Sequence, residues 1–533
     1  MRHWIVGLSA LTCVSVTPAL AQPASAQAAS APPTTLKIGI AGAFTSMDPH
    51  YHNVGPNNVL TEYVFDRLVR FDPSFKPEAS LAVSWRAIDD KTWEFQLRKG
   101  VKFHDGTPFT ADDVVFTFSR IPKLLISPSS FIFAIKPVER IEVVDDHTIR
   151  FHTAQPVPLL PFNLAAVRIV SRKHGDGAGT GAYNTLKAAI GTGPYRPVEF
   201  AVAERARFER NDDWWGKAPA WATIDYRSIG NDATRLAALQ TGEFDIVDQV
   251  PTRDVEELRK SPKLNIVSTP GQRLIFLSPD IGRKETLWAT GPNGKPLPTN
   301  PLQDVRVRRA LSIAINRDGI RDRIMDGFAA PTGQLMPVGA SGYIASISPD
   351  RYDPETAKKL LAEAGFPEGF GLTLHGPNNR YVNDSKIVEA VAQMWTRIGV
   401  KTQVDTMPAA TLFSRALRAE FTIRLTGWAS DTGEASSSLT ELIASSNPSK
   451  GRGVVFDPAR YLNPKVDELV EQSLATIDLD KREALYREAE TLALPDLPII
   501  PLHHQVNVFG LRKGLVFRMR MQEGIRAWDV DPE

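Results

Sequence analysis

An α/β protein with largely buried sheets is predicted, and three observations carry that prediction. Short runs rich in β-branched and aromatic residues, at 36–40, 92–97 and 148–151, read as strands. Helical segments with recognisable caps lie between such runs and become denser after residue 300. Neither coiled-coil heptads nor an internal repeat interrupts this alternation, and strands alternating with helices argue for α/β architecture with largely buried sheets.

The N-terminus is read separately. Met1-Arg2-His3 is a short basic start, residues 4–16 are mostly apolar, and Thr17-Pro18 leads into the small-residue site Ala19-Leu20-Ala21. This is the layout of a secretory signal peptide, with cleavage expected after Ala21. The apolar run is shorter than the roughly 20 residues that cross a bilayer. The alternative, a buried N-terminal helix, does not account for the basic–apolar–small order. Cys13, the single cysteine, lies inside this segment, preceded by Ala10-Leu11-Thr12 rather than by a lipoprotein attachment pattern. The mature chain then holds no disulfide, thiolate metal site or cysteine nucleophile. Residues 22–35 are rich in Ala, Pro and Ser and read as a flexible leader.

Lys and Arg number 62 against 61 Asp and Glu, and losing Arg2 with the signal leaves 61 of each sign. That balance gives no footprint for nucleic acid or an anionic membrane surface. The remaining chain of about 510 residues holds three or so domain-sized units by the usual prior.

Three helices can be placed by their caps. Asp353-Pro354-Glu355 opens one with an N-cap, a first-turn Pro and an acidic residue, and Gly365 followed by Pro367 closes it. A second spans 384–398, is stopped by Gly399 and precedes a β-like run at 401–405. A third spans 480–494 and ends before Pro495. The Gly-rich stretch 175–181 reads as a mobile surface loop with no helix opening after it, and its spacing does not fit a dinucleotide loop. Around Pro270-Gly271 the β-dense first half gives way to the helix-rich second half, a suitable place for a hinge.

The segment 95–120, FQLRKGVKFHDGTPFTADDVVFTFSR, reads as a strand ending at Leu97, a turn at Asp105-Gly106 and a helix capped by Thr110. It closely resembles the signature of the family 5 extracellular solute-binding proteins, the peptide/nickel-type receptors of ABC importers. Other stretches resemble the same family in the same order: Ser46-Met47-Asp48-Pro49-His50, Leu81-Ala82-Val83-Ser84-Trp85, Gly191-Thr192-Gly193-Pro194-Tyr195, Thr241-Gly242-Glu243-Phe244-Asp245, and 304–311 running on to Asn316-Arg317. The resemblance covers essentially the whole mature chain. It implies a two-lobed periplasmic-binding-protein fold with an extra subdomain in the first lobe and a ligand cleft between the lobes. Carried onto this sequence, the first-lobe core is 36–66, 190–270 and 506–533, the extra subdomain 67–189, and the second lobe 271–505. The implied protein is a monomeric, periplasmic receptor without cofactor, which captures a short peptide by lobe closure and delivers it to the importer's permease subunits in the inner membrane.

A peptide brings an ammonium, a carboxylate and a polar backbone, and a closed cleft must match the charges because a buried unpaired charge costs several kcal/mol. The segment Thr426-Gly427-Trp428-Ala429-Ser430-Asp431-Thr432-Gly433-Glu434 resembles the second-lobe segment of the peptide receptors whose Asp pairs with the α-ammonium. The resemblance gives Asp431 that role and lays Gly427 and Trp428 along the peptide backbone. Ala435-Ser436 stands where the family often has Pro, and Asp431 read on its own could simply cap the turn at Thr432-Gly433. Arg380, followed by Tyr381, stands where some dipeptide receptors clamp the ligand carboxylate, a task that suits a bidentate guanidinium. The alternative for Arg380 is a solvated side chain near a helix start. Tyr51 and Ser46 are the first-lobe contacts considered.

The same mechanism could serve an oligosaccharide, an opine or amino-acid conjugate, or a nickel or haem chelate. His50-x-His52 and His503-His504 are the close histidine pairs, each without a third ligand nearby in sequence, so no metal site is assigned. No G-x-S-x-G, H-E-x-x-H or Walker pattern occurs in the mature chain, and no enzymatic activity is expected.

Overall fold

A strand of alternating burial, β1 (Thr35–Ile40), starts the fold, with Leu36 and Ile38 fully buried. The structure, a computed structural model, describes residues 1, 34–73, 75–124, 127–430, 432–447, 452 and 461–533. The signal segment with Cys13, and the leader up to Pro33, lie outside the described residues. Thr35, read as the end of that leader, is already paired with Thr223 in the sheet.

A hairpin of β2 (Val69–Phe71) and β3 (Pro77–Ala79) leads into a separate four-stranded antiparallel sheet. Its strands are β4 (Ala82–Asp89), β5 (Thr92–Leu97), β6 (Val138–Asp145) and β7 (Thr148–Thr153), in the order β4-β5-β7-β6. Phe95 and Phe151 of this sheet pack with Val114 and Phe118 from the helix Ala111–Arg120. Thr110 and Asp113 form a reciprocal capping box at that helix start, with the Asp113 carboxylate accepting the Thr110 N–H at 3.0 Å. The turn before it is tied elsewhere: His104 N donates to Gly191 O at 2.8 Å. A Cβ on Gly191 would stand 1.9 Å from Val64 O, so only glycine permits this close approach. Two of the family-like motifs thus dock on each other, and their task is packing.

The chain then returns to the main sheet through β8 (Tyr195–Ala201), β9 (Arg205–Arg210), β10 (Thr223–Ser228) and β11 (Ile246–Val247). Strand β1 pairs in parallel with both β10 and β11. Trp221 and Tyr226 close this core against the C-terminal segment, the Trp221 indole donating to Val530 O at 2.7 Å. Within the stretch 175–181, residues 176–179 form the largely exposed turn that the loop expectation gives, and the departure lies at its two ends. Short helical turns occupy Arg172–Gly175 and Thr180–Asn184, and Gly175 is buried against Phe116 because its missing Cβ makes room for that ring.

Two long antiparallel strands cross from one half to the other: β12 (Leu264–Pro279) and, near the C-terminus, a strand at Ile500–Arg512. The second half adds β13 (Ala289–Thr290), β14 (Ala329–Pro331), β15 (Phe370–Pro377), β16 (Val400–Met407) and β17 (Ile423–Ala429), so Ile500–Arg512 is β18. Strands β15, β16 and β17 are mutually parallel where they pair, and β12 runs antiparallel to β17. Alternation along β12 sends Ile275 and Leu277 into one core, with Trp395 and Leu425, and Leu274 and Phe276 into another, with Leu439 and Tyr486. Each such buried side chain stabilises by about 1.5–3 kcal/mol. The result is two α/β lobes joined by β12 and β18. Pro270-Gly271, read as a lobe junction, lies inside β12 at a register irregularity between Pro270 and Leu274. Among the described residues, no helix is long and apolar enough to cross a membrane.

Candidate functional site

The crossing strands, the end of β11, the C-terminal segment and the loop after β15 together enclose a cavity of about 290 Å³. Its lining is polar and carries both signs: Asp248 and Gln249 after β11, Arg273 on β12, Asn379 to Asn383 after β15, Gln505 and Asn507 on β18, and Glu523.

Arg380 and Tyr381 are delivered by a tight turn. Their backbone N–H groups donate to Asp384 Oδ2 at 2.9 and 3.0 Å, so the first residue of the helix Asp384–Arg397 fixes the loop before it. The Arg380 guanidinium lies 5.4 Å from the Tyr381 ring centroid, a cation–π approach. Among the described residues it has no carboxylate within ion-pair distance. Partial desolvation in the cleft, with the nearby Arg273 guanidinium second, pulls its pKa down. Arg273 is itself bound to Glu523, Nε to Oε1 at 3.0 Å. That guanidinium holds the Glu523 carboxyl below its ordinary range.

The Tyr381 hydroxyl accepts the Gly427 N–H at 2.9 Å and lies 3.3 Å from Gly427 O, to which it can donate. A Cβ at Gly427 would meet the Tyr381 ring at 3.0 Å and Ile275 at 2.9 Å, so glycine lets β17 press against the turn. Trp428, one residue on, faces the other side of β17, opposite Leu274, and packs on the Leu274–Tyr486 core. The structure therefore brings Arg380, Tyr381 and Gly427 together and turns Trp428 away from them. Asp431 lies outside the described residues.

The first-lobe expectations, Ser46 and Tyr51, do not line the cavity. Ser46 is fully buried, its hydroxyl 2.8 Å from Asn184 Oδ1 and accepting Asp48 N–H at 3.0 Å. Tyr51 is half-buried next to His52, with its carbonyl accepting from Ser127 at 2.6 Å. Both stand by the Asp48–His50 turn, which is an internal tie. Arg120 donates to both oxygens of Asp48 at 2.9 and 2.6 Å and to His50 Nδ1 at 2.9 Å, while His50 Nε2 donates to Arg168 O at 2.7 Å. Burial drives the His50 pKa down to about 3, so the ring is neutral. His503 and His504 sit opposite Ile275 and Leu274 on β12, so their side chains leave β18 on opposite faces. Among the described residues no three His, Cys, Asp or Glu side chains converge as a metal site.

Sequence reading missed Asp248, Arg273, Gln505, Asn507 and Glu523. Arg273 and Glu523 are 250 positions apart. Only the return of the C-terminal segment, after β18, to β12 makes them neighbours.

Comparison with known proteins places this geometry. The model for bacterial extracellular solute-binding proteins, family 5 Middle, matches residues 76–450. The chain is 29% identical over 479 residues to the glutathione-binding protein GsiB of Pectobacterium atrosepticum, covering 87% of each. It is 28% identical over 476 residues to the dipeptide-binding protein of Escherichia coli, covering 84% of this chain and 85% of that protein. The periplasmic binding protein DppA of Helicobacter pylori, solved in complex with the peptide STSA, superposes with a TM-score of 0.74 at 26% identity, covering 94% of this chain and 98% of that one. The two-lobed α/β architecture, the signature motifs packed as structural ties and the match over most of the length together make this chain a member of the family 5 bacterial extracellular solute-binding proteins.

Proposed function

We propose that this protein is the ligand-capturing component of an ABC importer, which closes its two lobes on a short peptide in the periplasm and hands it to the permease. The carrying observation is Arg380: a guanidinium on the wall of the interlobe cavity, with no carboxylate partner among the described residues, on a turn held rigid by Asp384. A free carboxylate is the group such a fork binds best, bidentately. The amide-rich lining, Asn379, Asn383, Gln505 and Asn507, offers donors and acceptors for a peptide backbone. The named ligands of the glutathione- and dipeptide-binding relatives are of this class. By the family resemblance, Asp431 takes the α-ammonium, and Gly427 and Trp428 lie along the peptide.

The lobe limits belong to the same proposal: 36–66, 190–270 and 506–533 for the first, 67–189 for its subdomain and 271–505 for the second. So do export through cleavage after Ala21, monomeric capture and the absence of catalysis.

A thermal-shift screen with di- to pentapeptides, glutathione, oligosaccharides and nickel chelates tests the reading. A ligand that binds only the folded state at a hundred times its Kd adds about 2.7 kcal/mol of stability. Stabilisation by short peptides supports the proposal; stabilisation by sugars or chelates with none from peptides rejects it.

A further inference from the structure

We propose that Asp248 is the first lobe's contact for an ammonium group of the ligand, a site that neither the motifs nor the relatives assign; this rests on the peptide reading above. Asp248 follows β11, which runs parallel to β1 with Ile38 opposite Ile246 and Gly39 opposite Val247. It therefore stands at the C-terminal edge of a parallel pair, where open α/β sheets gather their ligands. Its residue is 9% exposed, and it lines the same cavity as Arg380.

The carboxylate is half used. Oδ1 accepts the Ala41 N–H at 2.7 Å. Among the described residues no hydrogen bond or ion pair reaches Oδ2. The nearest buried cation, Arg235, is spent elsewhere: it donates to the carbonyls of Ile229 at 2.7 Å, Asp248 at 3.2 Å and Gln249 at 2.9 Å, and to Asp232 Oδ1 at 2.8 Å. That guanidinium clamps the backbone of the turn from behind and leaves the Asp248 side chain free to face the cavity. Gln249 is held at φ +47°, a left-handed conformation that a side-chain-bearing residue adopts only where its surroundings enforce it. A buried carboxylate without a cation is costly, and a ligand ammonium is the group that relieves it.

Burial raises the Asp248 pKa to about 6, with Arg235 opposing and Glu523 and Asp232 adding to the rise. Other charged or titratable groups around it are Tyr226 on β10, which senses its charge, and Arg253, Arg273, Arg380 and Tyr381 on the cavity wall. Among the described residues, no histidine lines the cavity. Peptide termini, with pKa values of about 3.5 and about 8, hold their charge between pH 5 and 7. Affinity for the cationic ligand should therefore fall as pH drops through about 6, where Asp248 takes up a proton.

The test is calorimetric titration of the parent protein and Asp248→Asn at pH 7 and pH 5 with Ala-Ala, N-acetyl-Ala-Ala, Ala-Lys and Ala-norleucine. Asn keeps the acceptor for Ala41 N–H, and thermal unfolding checks that the variant is folded. The expected result is a loss of tenfold or more at pH 7, confined to ligands bearing the recognised cation, and no pH dependence in the variant. If Ala-Ala weakens while N-acetyl-Ala-Ala binds both proteins equally, the cation is the α-ammonium. If Ala-Lys alone weakens relative to Ala-norleucine, it is a basic side chain. A variant that matches the parent on all four peptides overturns the assignment of Asp248 and leaves the peptide reading standing. A variant that loses all four equally also overturns it, because the role is then structural. A parent that binds none of the four overturns the peptide reading itself.

Discussion

Replacing Arg482 with Met probes how the second lobe supports the turn that follows β17. Arg482 and Glu434 are 2% and 3% exposed at the side chain, with Arg482 Nε 3.3 Å from Glu434 Oε2. The Tyr486 hydroxyl sits 2.9 Å from both carboxylate oxygens. The same guanidinium reaches Thr476 O at 3.3 Å and lies 5.7 Å from the ring of Phe162, which packs on the core of the four-stranded sheet. Met fills the volume of the aliphatic stem and removes the charge. Glu434 then becomes a lone buried carboxylate, a loss worth about 3–5 kcal/mol at neutral pH. Burial already holds the Glu434 pKa above the ordinary carboxylate range with Arg482 present, and without it the rise must be larger. In the unfolded chain the carboxyl ionises near its usual value, so the variant's stability declines as pH rises above that point. Lowering the pH to 5 favours the protonated carboxyl in the folded variant, the bond to Tyr486 survives, and the deficit shrinks toward the about 1–2 kcal/mol of lost packing and hydrogen bonds. Chemical denaturation of parent and variant at pH 5 and pH 8 reads both numbers. A deficit below about 1 kcal/mol at pH 8, or one equal at the two pH values, refutes this reasoning.

Two further substitutions probe other parts of the molecule. Glu490 is fully buried with Oε1 accepting Leu335 N–H at 2.7 Å, and burial raises its pKa from 4.5 to about 7. The folded state therefore holds a proton the unfolded chain has released, and stability should fall by about 3 kcal/mol between pH 4.5 and 8. Glu490→Gln should remove this contribution, and a parent whose denaturation midpoint has the variant's pH dependence contradicts it. Asp431→Ala should weaken binding of a free-amine dipeptide by about 3–5 kcal/mol, a hundredfold to several thousandfold. An unchanged titration curve would remove Asp431 from the ammonium role.

Local signals in this chain were easy to read. Asp353, followed by Pro354, caps the helix Pro354–Glu363, and Asp384 opens Asp384–Arg397, because caps depend on neighbours three or four residues away. Thr110 announces its helix for the same reason. What sequence alone could not supply is long-range juxtaposition. Gly175 looked like loop punctuation, yet it is a packing site for Phe116. Pro270-Gly271 marks a change in the sequence pattern, but nothing local shows that it lies within a strand crossing between the lobes, where Pro270 pairs with Val506. Ser46 looked available to a ligand because nothing local shows that Asn184 takes its hydroxyl. Arg380 and Tyr381 were found through family resemblance. Arg273, Glu523 and Asp248 carry no local mark, and only the sheet topology brings them to the cavity.

The claim at the centre is that the interlobe cavity receives a peptide whose carboxylate meets Arg380. Calorimetric titration with Ala-Ala and with its C-terminal amide, on the parent and on Arg380→Met, tests that claim most directly. The expected result is that amidation weakens binding to the parent by tenfold or more, in line with about 1.5–3 kcal/mol for a charged hydrogen-bonded contact, and leaves Arg380→Met nearly indifferent to the change. Equal affinity of the parent for acid and amide, or binding of neither, contradicts it.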